Sequence, residues 1–180
     1  MTENTWIKDL LKDVLIVIGI VVAFLVLCQL VFGLWTPMYV VSSGSMEPNM
    51  NVGDIVLVKG IHRTAIVTQE DALSSDKPRI KFKEPGDVIL FRPYGSHQHI
   101  PIIHRAMYYV EEGEPMWEGG PAAPHSGYMT KGDNKNTNAL LDQQTTISAH
   151  QPIKEEWIIG VSQFKIPYVG KIRLFFSRSR

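Results

Sequence analysis

The sequence predicts a mainly β domain, an antiparallel barrel or folded sheet, preceded by one N-terminal transmembrane α-helix. Three observations predict it. Residues 14–35 form an unbroken apolar run, VLIVIGIVVAFLVLCQLVFGLW. Beyond it come short segments rich in β-branched and aromatic residues, bounded by Gly, Pro or Asp. Between Thr36 and His150 no amphipathic helix of ordinary length is legible.

The apolar run has 22 residues, and Gln29 is its only strongly polar side chain. At the rise of an α-helix it would extend ~33 Å, enough to cross a hydrocarbon core of about 30 Å. A buried core helix is the alternative, but cores seldom need so many uncharged residues in a row. A cleaved leader has a shorter apolar region, about 7–15 residues, and a small-x-small exit. Here the exit is the bulky GLWTPMYVV, so the run is expected to stay attached as an anchor. Trp6 and Trp35 suit the two interfacial belts. Lys8 and Lys12 precede the run, and the next basic residue is Lys59. That asymmetry predicts a single-pass protein with residues 1–13 in the cytoplasm and the rest outside.

Within the exported part, strands are expected at 39–41, 54–59, 80–83, 87–92, 102–110, 127–131 and 157–164. Residues 63–78 and the Gly/Pro-dense 111–126 read as long loops, with Trp117 packed on the domain. The domain is expected to span 36–165. A basic and apolar end, 166–180, follows as a strand or a segment on the membrane surface.

Acidic and basic residues balance at 18 each, so no global field recruits nucleic acid. The single cysteine, Cys28, falls inside the anchor, which excludes an internal disulfide and a CxxC metal site.

Three stretches carry candidate chemistry. In SSGSMEP, residues 42–48, small residues surround Ser45 just beyond the anchor. A tight turn there could expose a hydroxyl and aim backbone N–H groups at an oxyanion, although a Ser/Gly linker has the same composition. His104 lies in the strand-like PIIHRA. It could pack in a core, or take a proton near neutral pH. The turn KGDN, followed by Asp142, supplies two carboxylates, Asp133 and Asp142, either of which could orient an imidazole.

The order and spacing of SGSMEP, GDIVLVK, GDVILF, IIHR and TKGDN resemble type I signal peptidase, from the anchor to about Phe164. The bacterial branch of that family has a lysine where this chain has His104. The histidine is similar to the branch found in archaea and the endoplasmic reticulum, which uses a Ser-His-Asp set. The resemblance implies Ser45 as nucleophile, His104 as general base, and the Ser43 hydroxyl with the Ser45 N–H as oxyanion hole. The family's GDN box holds two aspartates. The first maps onto Asp133, and the second usually follows sooner than the nine positions to Asp142. Asp142 is implied as the orienting partner with Asp133 in support, and the division of roles between them stays open. The activity implied is a serine endopeptidase that removes N-terminal signal peptides from exported preproteins after small-x-small sites. Its expected setting is the cell membrane, or the endoplasmic reticulum membrane in a eukaryote. Its partners would be secretory preproteins, membrane lipid and the translocation machinery, and its chemistry needs no cofactor or metal.

Two other readings use the same residues. His97, His99 and His104 could form a zinc set. Alternatively, a tethered β domain could bind secreted chains without cutting them.

Overall fold

A computed structural model describes residues 5–167. The first helix, α1 (Thr5–Phe32), includes a stretch long and apolar enough to cross a membrane, Trp6–Phe32. Its side chains project outward rather than into a core; Leu15, Ile20 and Leu30 are 66%, 64% and 64% exposed. Such a surface is unfavourable in water and suited to lipid. The helix begins well before the apolar run, because Trp6, Ile7, Leu10 and Leu11 extend the pattern past Lys8 and Lys12. It stops before Trp35. Gly33 takes the left-handed conformation (φ 70°), and its N–H donates to the Gln29 carbonyl, closing the last turn. A side chain at Gly33 would strike His62 Nε2 at 2.6 Å, so the turn Ile61–Arg63 is packed directly on the helix end.

The domain is built on β1 (Met38–Val40), β2 (Ile55–Gly60), β3 (Ile80–Lys81), β4 (Glu84–Pro85), β5 (Val88–Phe91), β6 (Ile102–Val110), β7 (Gly127–Lys131) and β8 (Ile158–Ile166). Six strands pair antiparallel in the order β1-β2-β8-β5-β6-β7, and β3 with β4 forms a separate ribbon. The register shifts at Leu57/Val58, Leu90/Phe91 and Ala106/Tyr108, and irregularities of this kind bend and twist a sheet. The domain is thus the antiparallel β fold that the sequence predicts.

Alternation along β5 divides the core. Val88 and Leu90 join Val41, Met46, Met50, Val56 and Val58 in one cluster, whereas Ile89 and Phe91 join Ala106, Ile153, Ile158 and Val161 in another. All four β5 residues are buried, which accounts for an apolar run without polar alternation. A third cluster (Val110, Met116, Ala123 and Met129) lies under loop 111–126, with Trp117 half-buried against it.

The loop expected at 63–78 contains a short helix, α2 (Gln69–Ser74). Thr68 caps it: its Oγ1 accepts the Asp71 N–H, and the Thr68 N–H donates back to Asp71 Oδ2. Only Ala72 of this helix is buried, so no apolar period marked it in the sequence. Of the expected end segment 166–180, Ile166 completes β8, and residues 168–180 lie outside the described residues.

Candidate active site

The turn after β1 holds Ser45. Met46 and Met50 are fully buried in the β5 cluster and draw the segment after the serine into the core. A 3-10 turn, Gly44–Met46, places Ser45 over a cleft. Glycine suits position 44 because a Cβ there would stand 3.2 Å from the Glu47 carboxylate. The neighbouring Ser43 Oγ is 3.3 Å from Ser45 Oγ.

His104 comes from β6, where it is 2% exposed. Its Nε2 is 2.9 Å from Ser45 Oγ, and its Nδ1 is 2.7 Å from Asp142 Oδ2. With Nδ1–H donating to the carboxylate, Nε2 is free to accept the serine proton. Asp142 opens the short turn Asp142–Gln144 and is itself buried. Thr130 Oγ1 donates to the same carboxylate oxygen at 2.6 Å.

Asp133 sits elsewhere. Arg105 Nε donates to its Oδ1 at 2.8 Å and Arg105 Nη2 to its Oδ2 at 2.6 Å, while Asn49 Nδ2 adds a third bond at 2.9 Å. The fork is a buried ion pair, with Arg105 1% and Asp133 6% exposed at the side chain. Arg105 Nη1 meets the Gly86 carbonyl at 2.7 Å, so the guanidinium also fastens the segment before β5. Next to Asp133, Asn134 holds the serine turn from below: its N–H donates to the Ser45 carbonyl (2.9 Å) and its Nδ2 to the Gly44 carbonyl (2.8 Å). The two aspartates therefore have different environments, one on His104 and one in the frame beneath Ser45.

The cleft beside Ser45 and His104 has a volume of about 310 Å³. Val40, Val41, Ile102, Ile103 and Ile147 give it apolar walls, and Asn138 contributes an amide. His97 and His99 are exposed in the loop before β6. Among the described residues, no three His, Cys, Asp or Glu side chains converge as metal ligands. His125 is half-buried, with its Nδ1 3.0 Å from the Ser126 carbonyl and its ring edge-on to Trp157.

The profile of the family described as signal peptidase, peptidase S26, matches residues 8–107, more than half of the chain and a stretch that includes both Ser45 and His104. The chain belongs to the signal peptidase family. Among curated proteins, this signal peptidase family member is 28% identical over 149 residues to the signal peptidase complex catalytic subunit SEC11 of Lachancea thermotolerans. That match covers 81% of this chain and 68% of the relative. To SEC11 of Pyricularia oryzae it is 28% identical, over 79% of this chain and 64% of the relative. To human SEC11C it is 25% identical, over 79% of this chain and 58% of the relative. The chain thus spans about six-tenths to two-thirds of these relatives' length.

Thr130, Asp133, Asn134 and Asp142 all lie beyond the stretch matched by the family profile. Sequence reasoning overlooked Arg105, Asn49, Asn134 and Thr130. One signal could have found Arg105: an arginine inside a buried apolar strand requires a carboxylate, and Asp133 and Asp142 were among those on offer.

Proposed function

We propose that this chain is a membrane-anchored serine endopeptidase that removes N-terminal signal peptides from exported preproteins. One observation carries the reading: an unbroken hydrogen-bonded series from Ser45 Oγ through His104 to Asp142, with links of 2.9 and 2.7 Å, opening on the cleft.

His104 Nε2 takes the Ser45 proton as Oγ attacks the scissile carbonyl carbon. Asp142 holds the ring in the tautomer that leaves Nε2 unprotonated, and stabilises the imidazolium once formed. Negative charge develops on the carbonyl oxygen, and the Ser45 backbone N–H with the Ser43 hydroxyl donates to it. The imidazolium then protonates the leaving amine, the peptide bond breaks, and the new amino terminus departs. Water, deprotonated by His104, attacks the acyl-enzyme; collapse of the second tetrahedral intermediate returns the proton to Ser45 Oγ and frees the carboxylate. Asp133 works differently: through Arg105, Asn49 and its neighbour Asn134 it supports the turn on which Ser45 stands.

The substrate is an extended segment with small residues one and three positions before the cut, lying along the apolar cleft wall and pairing by its backbone. Helix α1 keeps Ser45 near the membrane surface where signal peptides emerge, which raises effective concentration. The lysines at 8 and 12 set the amino terminus in the cytoplasm and the domain outside.

The test is cleavage of a purified preprotein in detergent by the full chain, compared with Ser45→Ala and His104→Ala. Both variants should lose activity by several orders of magnitude. A His104→Ala variant as fast as the unchanged chain would remove the base from this reading.

A further inference from the structure

Asp142 directs one carboxylate oxygen at two donors. Its Oδ2 lies 2.7 Å from His104 Nδ1 and 2.6 Å from Thr130 Oγ1, while its Oδ1 is buried and has no hydrogen bond among the described residues. Thr130 is itself fully buried on β7. A carboxylate only accepts, so the Thr130 hydroxyl must donate its single proton to it. The other side of that hydroxyl faces Gln143. The Gln143 Nε2–H approaches Thr130 Oγ1 at 3.4 Å, and Gln143 Oε1 accepts the Thr130 backbone N–H at 3.1 Å. The amide thus occupies a lone pair of the hydroxyl and fixes which way its proton points.

We propose that Thr130 is a positioning residue for the reaction, acting through Asp142 on His104, with Gln143 setting its polarity. The inference rests on the peptidase reading above. Two effects follow. The carboxylate is held by a second, rigid donor, so its plane and hence the imidazole orientation are fixed before substrate arrives. The short hydroxyl bond also draws off part of the charge on Oδ2, so less negative charge faces the imidazole ring. The ionisable groups nearby are engaged elsewhere: Arg105 with Asp133, Lys131 with the Ala139 carbonyl, and His150 against Trp117. Among the described residues, the His104 ring and the Thr130 hydroxyl are the two side-chain groups bonded to the Asp142 carboxylate, so the hydroxyl can be removed while the imidazole stays.

The test uses the full chain in detergent, measuring kcat, KM and the pH dependence of kcat/KM for Thr130→Val, Thr130→Ala and Thr130→Ser, with thermal unfolding as the folding control. Thr130→Val should lower kcat roughly ten- to a hundredfold, the value of a hydrogen bond to a charged group, with KM within about twofold. The acidic limb of its kcat/KM profile should move to higher pH, because the carboxylate facing the imidazole then keeps its full charge. Thr130→Ala, which removes the donor without placing a methyl against the carboxylate, should repeat that movement should the valine variant misfold. Thr130→Ser should restore both rate and profile. An acidic limb that stays in place in the valine and alanine variants, or a serine variant as impaired as valine, overturns the proposal. Failure of the underlying reading has a separate signature: Ser45→Ala and Asp142→Asn would then cut as fast as the unchanged chain.

Discussion

His104 and Arg105 are consecutive on β6, and each meets a different aspartate: His104 bonds Asp142, and Arg105 bonds Asp133. Successive strand residues project to opposite faces, so one dipeptide supplies an imidazole to the cleft and a guanidinium to the frame behind it. The carboxylates come from one connection after β7, nine positions apart, and the length between them lets each reach its own partner.

That division predicts opposite outcomes for two similar substitutions. Asp142→Asn should keep the fold and lose roughly 10⁴-fold in kcat, because an amide can fix the wrong imidazole tautomer. Asp133→Asn should act first on stability, lowering it by about 3–5 kcal/mol, since it leaves Arg105 buried beside a neutral group. Thermal unfolding and kcat measured on both variants separate the effects. Equal stability loss in the two would contradict the division.

Gly132 allows the GDN turn to lie against the Ser45 turn. A Cβ there would stand 2.6 Å from the Ser45 carbonyl oxygen and equally close to the Asn138 carboxamide carbon. Gly132→Ala should therefore push the serine turn out of line with His104, and displacement of about 1 Å costs on the order of a hundredfold in rate. The expected result is a lowered kcat with KM little changed. A Gly132→Ala enzyme with unchanged kcat would mean that the turn yields elsewhere.

Much of this was legible in one dimension, and the rest was not for identifiable reasons. The strands announced themselves because β-branched runs end at Gly, Pro or Asp; β4 did not, being two residues that end in proline. Helix α2 has a Thr-x-x-Asp cap in its sequence, but six residues with one buried alanine give no period to detect. Ser45 and His104 stood in short motifs. The separate partners of Asp133 and Asp142 depend on which strand neighbour each reaches, a tertiary fact. Thr130 reads simply as a β-branched residue in a strand, and only its neighbours Asp142 and Gln143 distinguish it.

His97 and His99 give the metal alternative a direct test. Both are exposed in the loop before β6, and His99 makes an aromatic contact with Tyr94 (centroids 6.1 Å apart). Exposed side chains away from such a network change stability by only about half a kcal/mol. Replacing both histidines with alanine should leave cleavage within about twofold. A loss of several orders of magnitude, together with zinc-reversible inactivation of the unchanged chain by a chelator, would move the chemistry to that loop.

Asp87 predicts how stability responds to pH. It is fully buried just before β5, where its Oδ2 accepts the Val67 N–H at 2.9 Å and Arg79 approaches its Oδ1 at 3.1 Å. Burial raises its pKa above the ordinary 3.8; the Val67 amide, Arg79, Lys81 and Arg105 pull the other way without overcoming it. The folded protein therefore holds this proton more tightly than the unfolded chain. Its contribution to stability is complete below pH 3.8 and declines as pH rises through the raised folded value. Asp87→Asn cannot titrate there. Across that window, urea midpoints of the unchanged protein should fall relative to those of Asp87→Asn as pH increases. Parallel midpoints, or a relative rise, would show that Arg79 and the Val67 amide outweigh burial at this carboxylate.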